Sequence, residues 1–209
     1  MRESESGGRR PYHHGDLHRA LVDAARALLE AEGPGALSMR AVARGAGVSP
    51  AAPYHHFKDK DELMGAVAHE GWLMLDAALA RARDEAPAGR GRITALGVAY
   101  VCFAIDHPAL YRVMYDHARD QESLPDQLHE PEQGAFATVR RTLVEVGGDP
   151  DARIELELAT AAAWCAAHGL AEMAGFKQFD HLKDALGGEK PFLRAVFDQM
   201  GLFPRMSGR

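Results

Sequence analysis

Apolar residues recur with the period of a helix almost from the start of this chain. Leu17, Ala20, Leu21, Ala24, Ala25, Leu28 and Leu29 share one helical face, with Asp16 placed as N-cap and Gly33 as stop. Ser38 is suited to cap a short second helix in which Met39, Val42, Ala43 and Ala46 share a face, and Gly45 and Gly47 end it. A very short third helix is expected from Ser49 as N-cap, with Pro50 in the first helical position, to Phe57. Asp59 and Glu62 then form a capping-box pattern. It opens a long fourth helix through Leu63, Ala66, Val67, Met74 and Ala78, which the breaks at Pro87 and Gly89 close.

The same periodicity predicts helices over 92–106, 108–118, 132–147, 151–174 and 190–201. Polar loops are expected over 121–131 and around Gly187 and Gly188. No run alternates apolar and polar residues, and Ala, Leu, Glu and Arg dominate, so the fold class is all-α. Residues 1–15 are rich in Gly, Ser and Arg and have too little apolar content to pack, which makes them a flexible arm. The expected organisation is an arm over 1–15, a three-helix domain over 16–62 and a helical C-terminal domain over 63–209.

With 46% hydrophobic residues in 209, the chain has material for one or two cores without covalent staples. Cys102 and Cys165 sit in apolar surroundings with no neighbouring thiols, which argues for a reducing compartment and a cytoplasmic address. No stretch approaches the roughly 18 to 20 apolar residues of a membrane span, so no membrane partner is expected. The net charge of −6 counts against a nucleic-acid partner until it is divided. Residues 1–60 carry +2 and five of the eleven histidines, whereas residues 61–209 carry −8. A mildly basic head on an acidic body suits a modular DNA binder.

Two short helices joined by a tight glycine-containing turn, behind a longer amphipathic one, have the form of a helix-turn-helix. Its second short helix must enter a major groove about 12 Å wide, so small residues there let the backbone approach while polar ones reach phosphates. Ser49, Ala51 and Ala52 are the small residues; Tyr54, His55, His56, Lys58 and Lys60 form the polar rim. The free N–H groups opening the fourth helix, with Lys60 beside them, are a further expected phosphate site.

The run Ser38-Met39-Arg40-Ala41-Val42-Ala43-Arg44-Gly45-Ala46-Gly47-Val48-Ser49, followed by Tyr54-His55-His56-Phe57-Lys58-Asp59-Lys60-Asp61-Glu62-Leu63, resembles the DNA-binding domain of the TetR/AcrR family of bacterial regulators. The resemblance covers residues 11–65. It implies an all-α chain that dimerises through its last two long helices and holds an inducer pocket in the C-terminal domain. It assigns phosphate contact to Ser38, Arg40, Ser49, Tyr54, His56 and Lys60, and base-edge contact to Ala51, Ala52 and His55. Trp164, His168 and Gly169 resemble the Trp-His-Gly signature of one subgroup, as do Tyr12-His13-His14-Gly15-Asp16-Leu17 and His107-Pro108-Ala109-Leu110-Tyr111-Arg112.

Pro53 departs from the bulky aliphatic residue usual in the wider family. Proline lacks a backbone donor and crowds the carbonyl of Ser49, so distortion of the first turn is expected, although the Ala51-Ala52-Pro53-Tyr54 run is similar to the subgroup. Arg9 and Arg10 are candidates for an adjacent minor groove, and a solvated tail is the equal alternative.

Trp164 and His168, four residues apart on an alanine-rich helix, share a face. The imidazole either orients a ligand or is a satisfied core histidine. Tyr100, Phe103, Tyr111, Met114, Tyr115 and Phe136 lie on helices suited to surround an apolar or aromatic effector, and plain core packing is the alternative for each. The resulting expectation is a homodimeric repressor of a palindromic DNA operator, released by a small-molecule effector, with the fourth helix as lever. A transcriptional activator of the same fold is the nearest alternative.

A small helical enzyme is the rival from another class. No phosphate-binding glycine loop, nucleophile elbow or zinc-protease helix is present, so no catalytic residue and no cofactor is expected. A metal sensor built on His107, His117 or His168 with Cys165 is a minor alternative, and no metal site is assigned.

Overall fold

A computed structural model describes residues 14–120 and 134–200. Residues 1–13 of the expected arm, with the Tyr12-His13 pair, and the 121–131 segment lie outside the described residues, whereas the last two arm positions, His14 and Gly15, already belong to a helix. Those that are described form nine α-helices and three short 3-10 turns, with no strand. The helices are α1 (His14–Glu32), α2 (Met39–Gly45), α3 (Lys60–Glu85), α4 (Gly91–Asp106), α5 (Pro108–Asp120), α6 (Gly134–Glu145), α7 (Arg153–Met173), α8 (Asp180–Leu186) and α9 (Glu189–Met200). The chain divides into two compact units after Val67.

In the first unit, α1 packs against α2. Leu21, Ala25 and Leu29, the centre of the predicted stripe, are completely buried, and the flanking Leu17, Ala20, Ala24 and Leu28 are half-buried. Leu37, Val42, Phe57, Leu63 and Val67 complete this core. Helix α1 begins at His14, so Asp16 lies in its first turn and not at the cap. At its other end the Gly33 N–H bonds the Leu29 carbonyl at 2.8 Å, and Gly33 takes a φ of 79°.

In the second unit α4 is the central helix, with Ile93, Leu96, Val98, Tyr100, Val101, Phe103 and Ala104 buried against α7, α9, α5 and α6. The alanines of α7 allow this close approach. Helix α8 was not anticipated from the sequence. It is short, its Leu182 and Leu186 are exposed, and it is held by Lys183, whose ammonium donates to the Ala174 carbonyl at 2.6 Å and pairs with Glu189 at 2.9 Å. No single described helix is long and apolar enough to cross a membrane.

Candidate functional site

The helix-turn-helix is assembled by short-range hydrogen bonds. Ser38 caps α2, its Oγ accepting the Ala41 N–H at 3.2 Å. The other end closes as a paired turn in which the Gly47 N–H reaches Arg44 O at 3.1 Å and the Val48 N–H reaches Ala43 O at 2.9 Å. This turn needs the left-handed backbone that Gly47 adopts, φ 69°.

The expected third α-helix is instead a 3-10 turn over Ala52–His55. In an α-helix the carbonyl of Ser49 would accept from residue 53, which is proline and has no N–H. Here the Ala52 N–H takes that carbonyl at 3.0 Å, and Tyr54 N–H and His56 N–H bond three residues back to Ala51 O and Pro53 O. Ser49 therefore stands one turn outside the element and does not cap it through its side chain. Pro53 is buried, and the face left to solvent carries Ser49, Pro50, Ala51, Tyr54 at 57% exposure and His55, with Ala52 and His56 half-buried. His56 lies edge-on to His18 of α1 at 6.1 Å.

Arg40, Arg44, Lys58 and Lys60 are all exposed. The phosphate site expected at the start of α3 is weakened by its own cap. Asp59 Oδ1 accepts the Glu62 N–H at 3.0 Å and Glu62 accepts the Lys58 N–H at 2.5 Å, so carboxylates already occupy that helix end. Arg9 and Arg10 lie outside the described residues.

The second unit holds a cluster of hydroxyls and rings. The Trp164 indole N–H donates to the Tyr115 hydroxyl at 3.1 Å, and Tyr115 and Tyr100 are joined by a short hydrogen bond. Tyr100 and Tyr111 are 3.2 Å apart through their oxygens, and the Tyr111 oxygen is 2.5 Å from His168 Nδ1. One directed chain satisfies every group: Trp164 to Tyr115 to Tyr100 to Tyr111 to Nδ1, each hydroxyl donating once and accepting once, with the imidazole proton on Nε2. Burial is the main force that raises all three phenol pKa values, that of Tyr115 to about 12, so the tyrosines are neutral donors. Trp72 lies against Tyr115 at 5.3 Å and stacks on Trp164 at 6.2 Å, and its indole N–H is buried with no acceptor among the described residues.

The structure brings six of the eight predicted pocket residues together: Tyr100, Tyr111, Tyr115, Trp164 and His168 in the hydrogen-bonded chain, with Phe136 packed on Trp164 at 5.6 Å. Tyr100 and Trp164 line a cavity of about 140 Å³, whereas Tyr111, Tyr115 and His168 line a second of about 280 Å³. Phe103 faces neither of these; it lies in a separate groove beside Cys102 and against His107 at 5.0 Å. Met114 is completely buried where bare Gly71 makes room for its sulfur. Sequence reasoning missed Gly97, Thr94, Phe197 and Asp198 on the first cavity and the central place of Trp72. No three His, Cys, Asp or Glu side chains among the described residues gather as a metal site.

A family model described as bacterial regulatory proteins, tetR family, matches residues 21–67, and another described as tetracyclin repressor-like, C-terminal domain, matches residues 93–192. The chain belongs to the tetR family of bacterial regulatory proteins. Among solved structures, a protein with unknown function from Rhodococcus sp. RHA1 is 33% identical, covering 93% of this chain and 97% of that one with a TM-score of 0.73. A regulatory protein in the tetR family from Rhodococcus RHA1 is 20% identical over 89% of this chain and 95% of that one, TM-score 0.61. A TetR-family transcriptional regulator from Haemophilus influenzae RD is 20% identical over 87% and 96%, TM-score 0.58. These last two share the fold. As a tetR-family member, this chain is a DNA-binding transcriptional regulator.

Proposed function

We propose that this tetR-family regulator is a homodimeric, non-enzymatic, cytoplasmic repressor that binds a palindromic operator and leaves it when a small apolar or aromatic effector enters the second unit. The observation that carries the reading is the cavity backed by Tyr100 and Trp164, which lies in the unit that does not hold the helix-turn-helix. Helix α3 is its route to the DNA-binding unit. The helix is continuous from Lys60 to Glu85, gives Leu63 and Val67 to the first core, and gives Leu79 to the cavity wall. An effector that prefers one tilt of α3 shifts the population toward a state of lower operator affinity.

Operator contact is assigned to Ser38, Arg40, Ser49, Tyr54, His56 and Lys60 on phosphates and to Ala51, Ala52 and His55 on bases, with Arg9 and Arg10 as the arm. The boundaries proposed for arm, DNA-binding domain and effector domain are 1–15, 16–62 and 63–209. Trp164, His168 and Gly169 support membership of the Trp-His-Gly subgroup. Dimerisation is supported by an apolar stripe on α7: Ile154 is 69% and Leu158 65% exposed, with Ala161 and Cys165 continuing the same face.

Selection of bound sequences from random duplexes tests the reading. A symmetric consensus bound by a dimer, whose affinity falls steeply with salt, is the expected result. In a purified transcription assay on that consensus, the chain lowers transcription and an effector restores it; transcription raised by the bound protein would make it an activator.

A further inference from the structure

We propose that the cavity backed by Tyr100 and Trp164 takes an uncharged single-ring aromatic molecule with one hydrogen-bonding substituent, held at the cavity mouth; this rests on the effector reading above and narrows it to a ligand class. Size is the first argument. At about 140 Å³ the cavity is well below the roughly 300–1,000 Å³ of pockets for drug-sized ligands, and close to the about 150 Å³ engineered cavity that binds benzene.

The walls are the second argument. Ile93, Leu96, Val139, Ala163, Ala167 and Phe197 offer aliphatic and aromatic surface, and two of them are small because α4 and α7 pack closely. Phe197 lies directly on Gly97, where a Cβ would come 2.6 Å from Cζ of the ring, so the glycine is what lets this ring reach the cavity wall. The rings of Phe197, Tyr100 and Trp164 on these walls offer faces and edges against which an aromatic ring packs. At the back, the Tyr100 hydroxyl is already committed to Tyr115 and Tyr111, so the rear of the cavity presents ring carbons and not a free donor.

Polar chemistry is confined to one side. Thr94 donates to Asp198 at 3.0 Å, and Arg90 lines the same cavity. Asp198 and Arg90 are exposed and of opposite sign, so the attraction of one for a charged ligand is offset by repulsion from the other. A neutral hydroxyl or amine loses nothing to this and gains a hydrogen bond to a carboxylate.

The test uses phenol, benzoate and benzylamine as probes on the full chain, read by the fluorescence of its two tryptophans, Trp164 on the cavity wall and Trp72 stacked on it. Phenol is expected to saturate the signal, with the two charged probes about tenfold weaker. Asp198→Asn should then tighten benzoate, and Arg90→Gln benzylamine, each about two- to fivefold, as befits exposed charges. Both substitutions are on the surface and leave the core intact. No saturable phenol signal, equal affinity for all three probes, or charge variants that leave their ranking unchanged would each overturn the proposal. Operator binding is followed in the same samples. Phenol bound with the expected ranking while operator affinity stays constant upholds the ligand class and removes the release mechanism. Release by a larger compound that binds both variants and the parent alike upholds release and overturns the ligand class.

Discussion

Phe197 lies on the bare backbone of Gly97, one hundred residues earlier in the chain, so closely that a Cβ on the glycine would sit 2.6 Å from Cζ of the ring. Alanine at position 97 must push this ring away, at about 1–3 kcal/mol. Alanine also gains about 1 kcal/mol over glycine inside a helix. Gly97→Ala is therefore expected to destabilise the chain by up to about 2 kcal/mol, but to stabilise it in a Phe197→Ala background, where the ring is gone. Urea unfolding of the four proteins in this cycle reads the change of sign. Destabilisation of equal size in both backgrounds would mean that the glycine is needed for some other reason.

Tyr100 stands in the middle of the phenol chain and Tyr111 next to its end. Removing the Tyr100 hydroxyl leaves the Tyr115 hydroxyl without its acceptor and Tyr111 without its donor, a loss of about 1–3 kcal/mol. Removing that of Tyr111 is milder, because Tyr100 already lies 3.3 Å from His168 Nδ1 and can donate there directly. Tyr100→Phe should thus be more destabilising than Tyr111→Phe by about 1 kcal/mol in parallel urea unfolding. The reverse order would show that the chain does not run in the direction assigned.

How much of this was visible in the sequence depends on the range of each interaction. The α2 cap at Ser38, the stop at Gly47 and the Asp59–Glu62 box are fixed by residues within five positions, and their residue types announce them. Trp164 and His168 were legible as one helical face because four residues make a turn. Their partners were not. Tyr100, Tyr111 and Tyr115 come from two other helices, and Phe197 meets Gly97 only after the chain has folded. Helix α8 carries its apolar side chains outward, so a search for a buried stripe passes over it. The 3-10 turn was foreshadowed by Pro53, but its register follows from which carbonyl the missing N–H leaves free.

Ser38 has two tasks that a single substitution separates. Its Oγ caps α2 by accepting a hydrogen bond, and its hydroxyl proton is free for a phosphate oxygen. Aspartate caps as well as serine does but repels phosphate. Ser38→Asp should keep thermal stability within about 0.5 kcal/mol of the parent while lowering operator affinity, whereas Ser38→Ala loses about 1 kcal/mol of stability as well. Full operator affinity in Ser38→Asp would remove Ser38 from the phosphate contacts.

Alkaline pH acts on the second unit through its buried phenols. Burial raises their folded pKa values above the ordinary value of 10.0, that of Tyr115 to about 12. A raised folded pKa means that the folded state holds protons the unfolded state has lost. The contribution of Tyr115 is complete below pH 10 and falls away as pH climbs through about 12, and those of Tyr100 and Tyr111, raised further by burial, fall away at higher pH still. Phenolate absorbance from Tyr100, Tyr111 and Tyr115 is expected to rise together with loss of helical circular dichroism. Ionisation of all three near the ordinary phenol value with the helices intact would show that the cluster is open to solvent.

Pro53 makes a prediction about specificity and not about affinity. Leucine at this position restores an N–H that can reach the Ser49 carbonyl, so the 3-10 turn over Ala52–His55 can rewind as an α-helical turn. Rewinding rotates Ala51, Tyr54 and His55 about the element axis, which are the groups proposed to face bases or the adjacent backbone. Ser38 and Arg40 on α2 and Lys60 on α3 lie outside the turn and keep their places. Pro53→Leu is therefore expected to select a different consensus from random duplexes while the slope of affinity with salt, which counts phosphate contacts, stays within about one contact of the parent. An unchanged consensus would mean that the turn does not set the reading of bases, and would shift that role to the arm or to the shape of the DNA.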